Sequence, residues 1–220
     1  MNVTERKSRW IGGLMIVGVA TGILSIVPAI DTTEYLTEAA RNVNQTAAGA
    51  LFQFTMAIVY VAIAVLFFPI LEKHGKSLAI GFVSLRLIAA SLVIFGAILL
   101  ASLLAISQEF GKLPSRDPQI FEVLGQVLKA MRDHTNHVYM ILALCCGNAL
   151  MYVLLIKSRL VPRWITVWGL VGIVLTGGGS ILILFQVLDV ISVAYLALNA
   201  PTALLEIVFA LWLLIKGLGS

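Results

Sequence analysis

Charge is what this sequence has least of. Only 12% of its 220 residues are Asp, Glu, Lys or Arg, against about 25% in a water-soluble domain. With 60% hydrophobic residues and a mean hydropathy of +1.01, a soluble fold of this size is excluded. Cysteine is nearly absent: Cys145 and Cys146 are adjacent, inside an apolar run. No polar connection carries one, so there is no external disulfide framework and no CxxC metal clip. Neighbours on a helix point about 100° apart, and the two read as small packing residues. HExxH, GxSxG and the P-loop are also missing, which leaves zinc, serine-hydrolase and nucleotide chemistry without sequence support. The net charge of +4 would suggest nucleic acid in a soluble protein. Here the basic residues flank apolar runs, so membrane orientation explains them. No nucleic-acid partner and no cofactor is expected.

What is present is six long apolar runs, at about 10–30, 47–71, 78–106, 137–156, 164–188 and 201–215. A membrane-crossing helix needs about 20 mostly apolar residues. The expected fold is therefore all-α: one polytopic domain of six transmembrane helices. The first run is too long for a cleaved leader and follows Arg6, Lys7 and Arg9, which reads as a retained anchor. Two polar connections add short interfacial helices. In 31–45, Tyr35, Leu36, Ala39, Ala40 and Val43 recur at helical spacing. After the breakers Pro114 and Pro118, the apolar stripe is Ile120, Leu124, Val127, Leu128 and Met131. The last run is short, with Asn199 as cap and Pro201 in its first turn. On one side lie nine Lys and Arg; on the other lie five, with eight carboxylates. That bias predicts both termini in the cytoplasm of a plasma (inner) membrane. Trp10, Trp164, Trp168 and Trp212 fall near helix ends, as interfacial anchors do.

Only two charged residues lie deep inside these runs, Arg86 and Glu206. At 1.5 Å per residue, Arg86 lies about 13 Å in from Ser77, Glu206 about 15 Å in from Lys216, and Asn148 about 13 Å in from Lys157. A charge at that depth costs about 2.5–3.5 kcal/mol even on insertion scales. The expectation is an Arg86–Glu206 pair facing inward, with Asn148 and either Ser84 or Tyr152 completing its hydrogen bonds. Such a pair is a binding site or simply a lock between helices. His134 and His137 share a helix face, and with Asp133 or Glu122 could hold a metal. Without clear third and fourth ligands they read equally well as a solvated helix start. The run Thr176-Gly177-Gly178-Gly179-Ser180, with Gly172, allows either close packing or a broken helix lining a cavity. Gln53 and Gln186 are candidates to face such a cavity.

Three segments carry a resemblance: 157–172 (KSRLVPRWITVWGLVG), 205–217 (LEIVFALWLLIKG), and Phe68-Pro69-Ile70-Leu71 with 78–86 (LAIGFVSLR). The chain resembles bacterial membrane proteins grouped as domain of unknown function 4386, across nearly its whole length. The resemblance implies a multi-span inner-membrane protein and no particular activity. It also implies a carboxylate three positions after the third-run arginine. Here that position is Ala89, which leaves Glu206 as the partner for Arg86. Three functions are compatible with this reading. The first is binding or movement of a small amphiphile, lipid or ion at the polar spot. The second is an intramembrane enzyme, metal-dependent through the histidines. The third is an accessory subunit without a ligand. Membrane lipid is the expected partner, and a transport path through so small a bundle would require a homo-oligomer.

Overall fold

The computed structural model describes residues 3–112 and 118–219, and among them every regular element is helical. Pro114 and Arg116 lie outside the described residues. The helices are α1 (Val3–Leu24), α2 (Tyr35–Arg41), α3 (Val43–Leu71), α4 (Lys76–Lys112), α5 (Pro118–His134), α6 (Met140–Ser158), α7 (Arg163–Leu184) and α8 (Val193–Ile215). Five segments are long and apolar enough to cross a membrane: Val43–His74, Lys76–Lys112, Gln119–Ser158, Arg163–Leu184 and Val193–Ile215. α1 falls short of that set. Pro28 ends the first apolar run early, so the helix stops at Leu24. Its apolar part, 10–24, covers only about 22 Å.

Two more expectations are corrected, and one open alternative resolves to close packing. The second surface helix is not separated from the crossing that follows: Gln119–Ser158 is one 40-residue helix, about 60 Å long. The polar stretch between its halves contains no proline, and polarity alone does not stop a helix. Instead Thr135–Tyr139 winds as a π turn, a feature often found at functional sites. The last crossing is not short either. Ser192, not Asn199, caps α8 by accepting from the Tyr195 N–H at 3.3 Å, and Pro201 lies inside the helix. Asn199 turns its amide back onto the Tyr195 carbonyl at 2.8 Å. Finally, α7 passes unbroken through its three glycines. Gly179 packs against Tyr195 and Leu198 of α8 and Gly177 against Cys145 of α6, while nothing lies within 4 Å of a Cβ at Gly178; beside them the Thr176 and Thr202 hydroxyls lie 2.7 Å apart.

The long helices close into a ring in the order α1, α3, α4, α6, α7, α8 and back to α1. Short connections make neighbours antiparallel. The closing seam depends on Gly12: a Cβ there would sit 2.7 Å from the Ala210 carbonyl oxygen, so only glycine lets the backbones approach this closely. Ser8 continues the seam by accepting the Leu218 N–H at 3.1 Å. The end of the ring near both termini is filled by aromatics. Phe67 meets Phe82 edge-on at 6.2 Å and Phe209 at 6.5 Å, within a core that includes Ile11, Leu154, Leu155 and Leu213. At the opposite end α2, α5 and the outer part of α4 form a cap. There Leu36 and Ala39 are buried, and Val27, Ile30, Leu100 and Leu103 form a second cluster. The Tyr35 hydroxyl donates to the Glu122 carbonyl at 3.2 Å, tying α2 to α5. Burial raises the Tyr35 pKa, and the Glu122 carboxylate raises it further.

Candidate functional site

Between the filled end and the cap lie two polar layers. In the first, Arg86 is 7% exposed. One terminal guanidinium nitrogen donates to Asn148 Oδ1 at 2.7 Å. The guanidinium also stands 5.4 Å from the Tyr60 ring centre and 5.6 Å from that of Phe82, so two aromatic faces share its charge. Its Nε has no partner.

The expected direct pair with Glu206 does not form: no Arg86–Glu206 N–O distance falls within 4.0 Å. The ring order explains this. α4 packs against α6, whereas α8 stands across the ring from it, so the Asn148 amide reaches Arg86 first. Ser84 does not take part. It is exposed on the outer surface of α4, in a shallow groove with Val65 and Phe68. Ala89, where a carboxylate was implied, is fully buried. None of the four main cavities touches Arg86, Asn148 or Glu206. This layer is packed.

The second layer is hollow. Under the cap lies a cavity of about 320 Å³, bounded by the end of α1, by α3, by the π turn with its flanks, and by the start of α8. Its floor includes Met56 and Met140, which pack with Tyr60 and so lie next to the Arg86 layer. Its polar lining is Ser25, Asp31, Gln53, Arg132, Asn136, His137 and Tyr195. Gln53, Arg132 and Asn136 are 4%, 5% and 8% exposed, yet Gln53 Oε1, Arg132 Nε and Asn136 Oδ1 have no hydrogen-bond partner. Buried polar groups left unpaired cost about 1–3 kcal/mol each; these atoms lie in the packed wall beside the void, Asn136 Oδ1 against Gly96. An outer vestibule of about 600 Å³ shares Asp31, Val190 and Ile191 with the cavity and adds Lys129, Asp133 and Asp189.

Local folding accounts for this convergence. Arg132 and Asn136 are one helical turn apart, and the π turn adds the residue that also brings His137 and Ile141 round to the cavity. Arg132 is held from both sides, with Asp133 Oδ1 at 3.1 Å and Asp31 Oδ1 at 3.6 Å. Asn136 fits because Gly96 faces it; a Cβ on Gly96 would collide with its amide. His137 stacks edge-on against Tyr195 at 5.9 Å, and the Tyr195 hydroxyl lies 3.4 Å from its Nδ1. His134 turns away, with Nδ1 2.8 Å from the Ala130 carbonyl oxygen. Among the described residues no three His, Cys, Asp or Glu side chains converge as metal ligands.

Gln53 is the one cavity candidate from sequence that lines this space, while Gln186 lines only the vestibule. Arg132 and Asn136 escaped the sequence reading, Arg132 because it looked like a loop charge. The available signal was the spacing of Arg132, Asn136 and Met140 at four-residue intervals.

Apolar helices long enough to span a bilayer, closed around a buried polar layer and a cavity, define a multi-pass membrane protein. Residues 10–217 match the family described as Domain of unknown function (DUF4386), and the chain belongs to it. No curated protein and no solved structure matches the chain.

Proposed function

We propose that the protein is a six-crossing membrane protein that binds a small amphiphile in the cavity beneath its cap. The Arg86, Asn148 and Glu206 layer serves as the packed floor of that site. The observation that carries this reading is a space of about 320 Å³ walled by Met56, Met140, Ile141 and Leu196 and edged by the polar side chains of Gln53, Arg132, Asn136, His137 and Tyr195. A few placed polar groups in a mostly apolar concavity of this size are what small-molecule sites consist of. The cavity connects to a vestibule on one side and meets close packing on the other, which favours binding over passage through a single chain.

Filling the space tests the reading. Ile141→Trp places an indole in the void, where overpacking is mild because room exists. Protein purified in mild detergent is expected to carry a small amphiphile detectable by mass spectrometry of its extract. The Ile141→Trp protein is expected to lose it. Equal recovery from both proteins contradicts the proposal.

α1 supplies the sixth crossing in this reading, because it is seated in the ring between α3 and α8. Both termini then face the cytoplasm. In a Cys145→Ala/Cys146→Ala background, single cysteines at Gln126 and Lys73 report orientation. A membrane-impermeant maleimide is expected to label Gln126→Cys in whole cells and Lys73→Cys only after lysis. The reverse pattern overturns the orientation.

A further inference from the structure

We infer that copies of this chain associate through α5, each laying the apolar stripe Ile120, Val123, Leu124, Val127 and Met131 against the same stripe of a second copy. These five side chains are between 43% and 62% exposed. They follow one another at helical spacing along one face. The opposite face is occupied, because Phe121, Gly125, Leu128 and Arg132 pack toward α4, α2 and the α1–α2 connection. The stripe shares no residue with the cavity.

Lipid does not reach this face. Gly96 of α4 lies beside Asn136, and Phe110 lies beside Phe121, so α5 stands upright along α4 instead of lying flat on the membrane. Counted from Lys76, a hydrocarbon layer of about 30 Å ends about 20 residues along the helix, near Gly96. Beyond that level α4 turns Gln108, Glu109 and Lys112 outward, the last two in an exposed ion pair of 2.8 Å, as a helix in water does. At the same height α5 exposes Ile120, Leu124 and Val127. A contiguous apolar face in water marks an interaction site.

The pattern of the stripe fits its own copy. Copies in one bilayer share their orientation, so a closed assembly has its axis along the membrane normal, and α5 runs parallel to α5 with each residue near its counterpart. Such packing excludes charge from the contact, since like would meet like. None of the five positions carries one, and the neighbouring charges are engaged on the other flank. The Lys129 ammonium stands 5.5 Å from the Tyr35 ring centre, and Asp133 holds Arg132. Ile120, Leu124, Val127 and Met131 are four, three and four residues apart, the interval of a coiled-coil seam. The seam also continues into the membrane. Tyr139 follows Met131 by eight residues, the π turn supplying the extra one, and Cys146 and Val153 follow at sevens; all three are exposed.

The test uses the full chain. In membranes, in a Cys145→Ala/Cys146→Ala background, Leu124→Cys is expected to form a disulfide-linked dimer under mild oxidation, and Gln126→Cys on the polar flank is not. In mild detergent the wild-type chain is expected to sediment as an oligomer. Val127→Glu and Val127→Lys, at an exposed position that leaves the fold intact, are each expected to weaken self-association at least tenfold. Co-expressed under different tags, the two variants are expected to recover each other, because Val127 of one copy stands against Val127 of the next. A monomeric wild-type chain that forms no Leu124→Cys dimer overturns the inference. So does an oligomer indifferent to Val127→Glu, which places the contact elsewhere. Quenching of a fluorophore on Leu124→Cys by brominated lipid overturns it too, because the bilayer then covers the stripe.

Discussion

Arg86→Ala is expected to destabilise the bundle by about 3 kcal/mol, whereas Glu206→Gln should cost less than about 1 kcal/mol. The asymmetry follows from who holds the guanidinium. Its short contact is the 2.7 Å hydrogen bond to Asn148, and a hydrogen bond to a charged group contributes about 1.5–3 kcal/mol. The rings of Tyr60 and Phe82 add cation–π attraction. Alanine removes all of these, strands the Asn148 oxygen and leaves a void. Glu206, across the ring and outside ion-pair distance, has no ion pair with Arg86 to lose when it becomes an amide.

Arg86→Met separates the contributions, because it keeps most of the volume and should recover part of the loss. Asn148→Leu should cost more than Arg86→Met, because it leaves the buried guanidinium without its acceptor. Reversible unfolding in mixed micelles, followed by circular dichroism, reads all four variants. If Glu206→Gln proves as damaging as Arg86→Ala, a direct ion pair holds the layer and the arrangement described above is wrong.

The second large effect is expected at the α1–α8 seam. Gly12→Val should destabilise by about 3 kcal/mol, while the adjacent Gly13→Val should be nearly neutral. At Gly12 even a Cβ would meet the Ala210 carbonyl oxygen at 2.7 Å and Leu214 at 3.0 Å. The obstruction is backbone, so a side chain can be accommodated only by moving a helix. At Gly13 nothing lies within 4 Å of the same atom. The same unfolding assay applies, and Gly13→Val controls for propensity because both substitutions replace glycine in the same turn of the same helix. Equal effects at the two positions would mean that α1 is not seated against α8. Because Ser25 and Ile26 at the end of α1 line the cavity beside Tyr195 and Leu196, Gly12→Val should also reduce retention of the bound amphiphile.

Much of the architecture is readable before any coordinates, because hydropathy over long windows reports a solvent rather than a fold. Runs of apolar residues longer than a bilayer's thickness leave few alternatives to helices. Short-range punctuation was less dependable. Pro28 stops α1 within a run that looked continuous, yet Pro201 is tolerated inside α8. The polar stretch around Asp133–Asn136 looked like a connection but continues as helix through a π turn. A π turn has no residue signature, and it appears here because Arg132, Asn136 and His137 each find a place in the packed structure that an uninterrupted α-helix would rotate away.

The two polar layers show the same division. That Arg86 and Asn148 lie deep in apolar helices follows from counting residues. That they meet each other, while Glu206 stands opposite, depends on the order of helices around a ring. Each antiparallel hairpin is indifferent to that order, and only the simultaneous packing of six helices selects it.

By itself the sequence determined the solvent, the helical class and the depth of its rare charges, since each of these follows from local composition and a fixed rise per residue. Tertiary structure alone decided that Arg86 is held by Asn148 and that Gln53, Arg132 and Asn136 surround one void. Contacts between residues dozens of positions apart arise from how helix faces interlock, and that interlocking is set by steric fit at places such as Gly12 and Gly96.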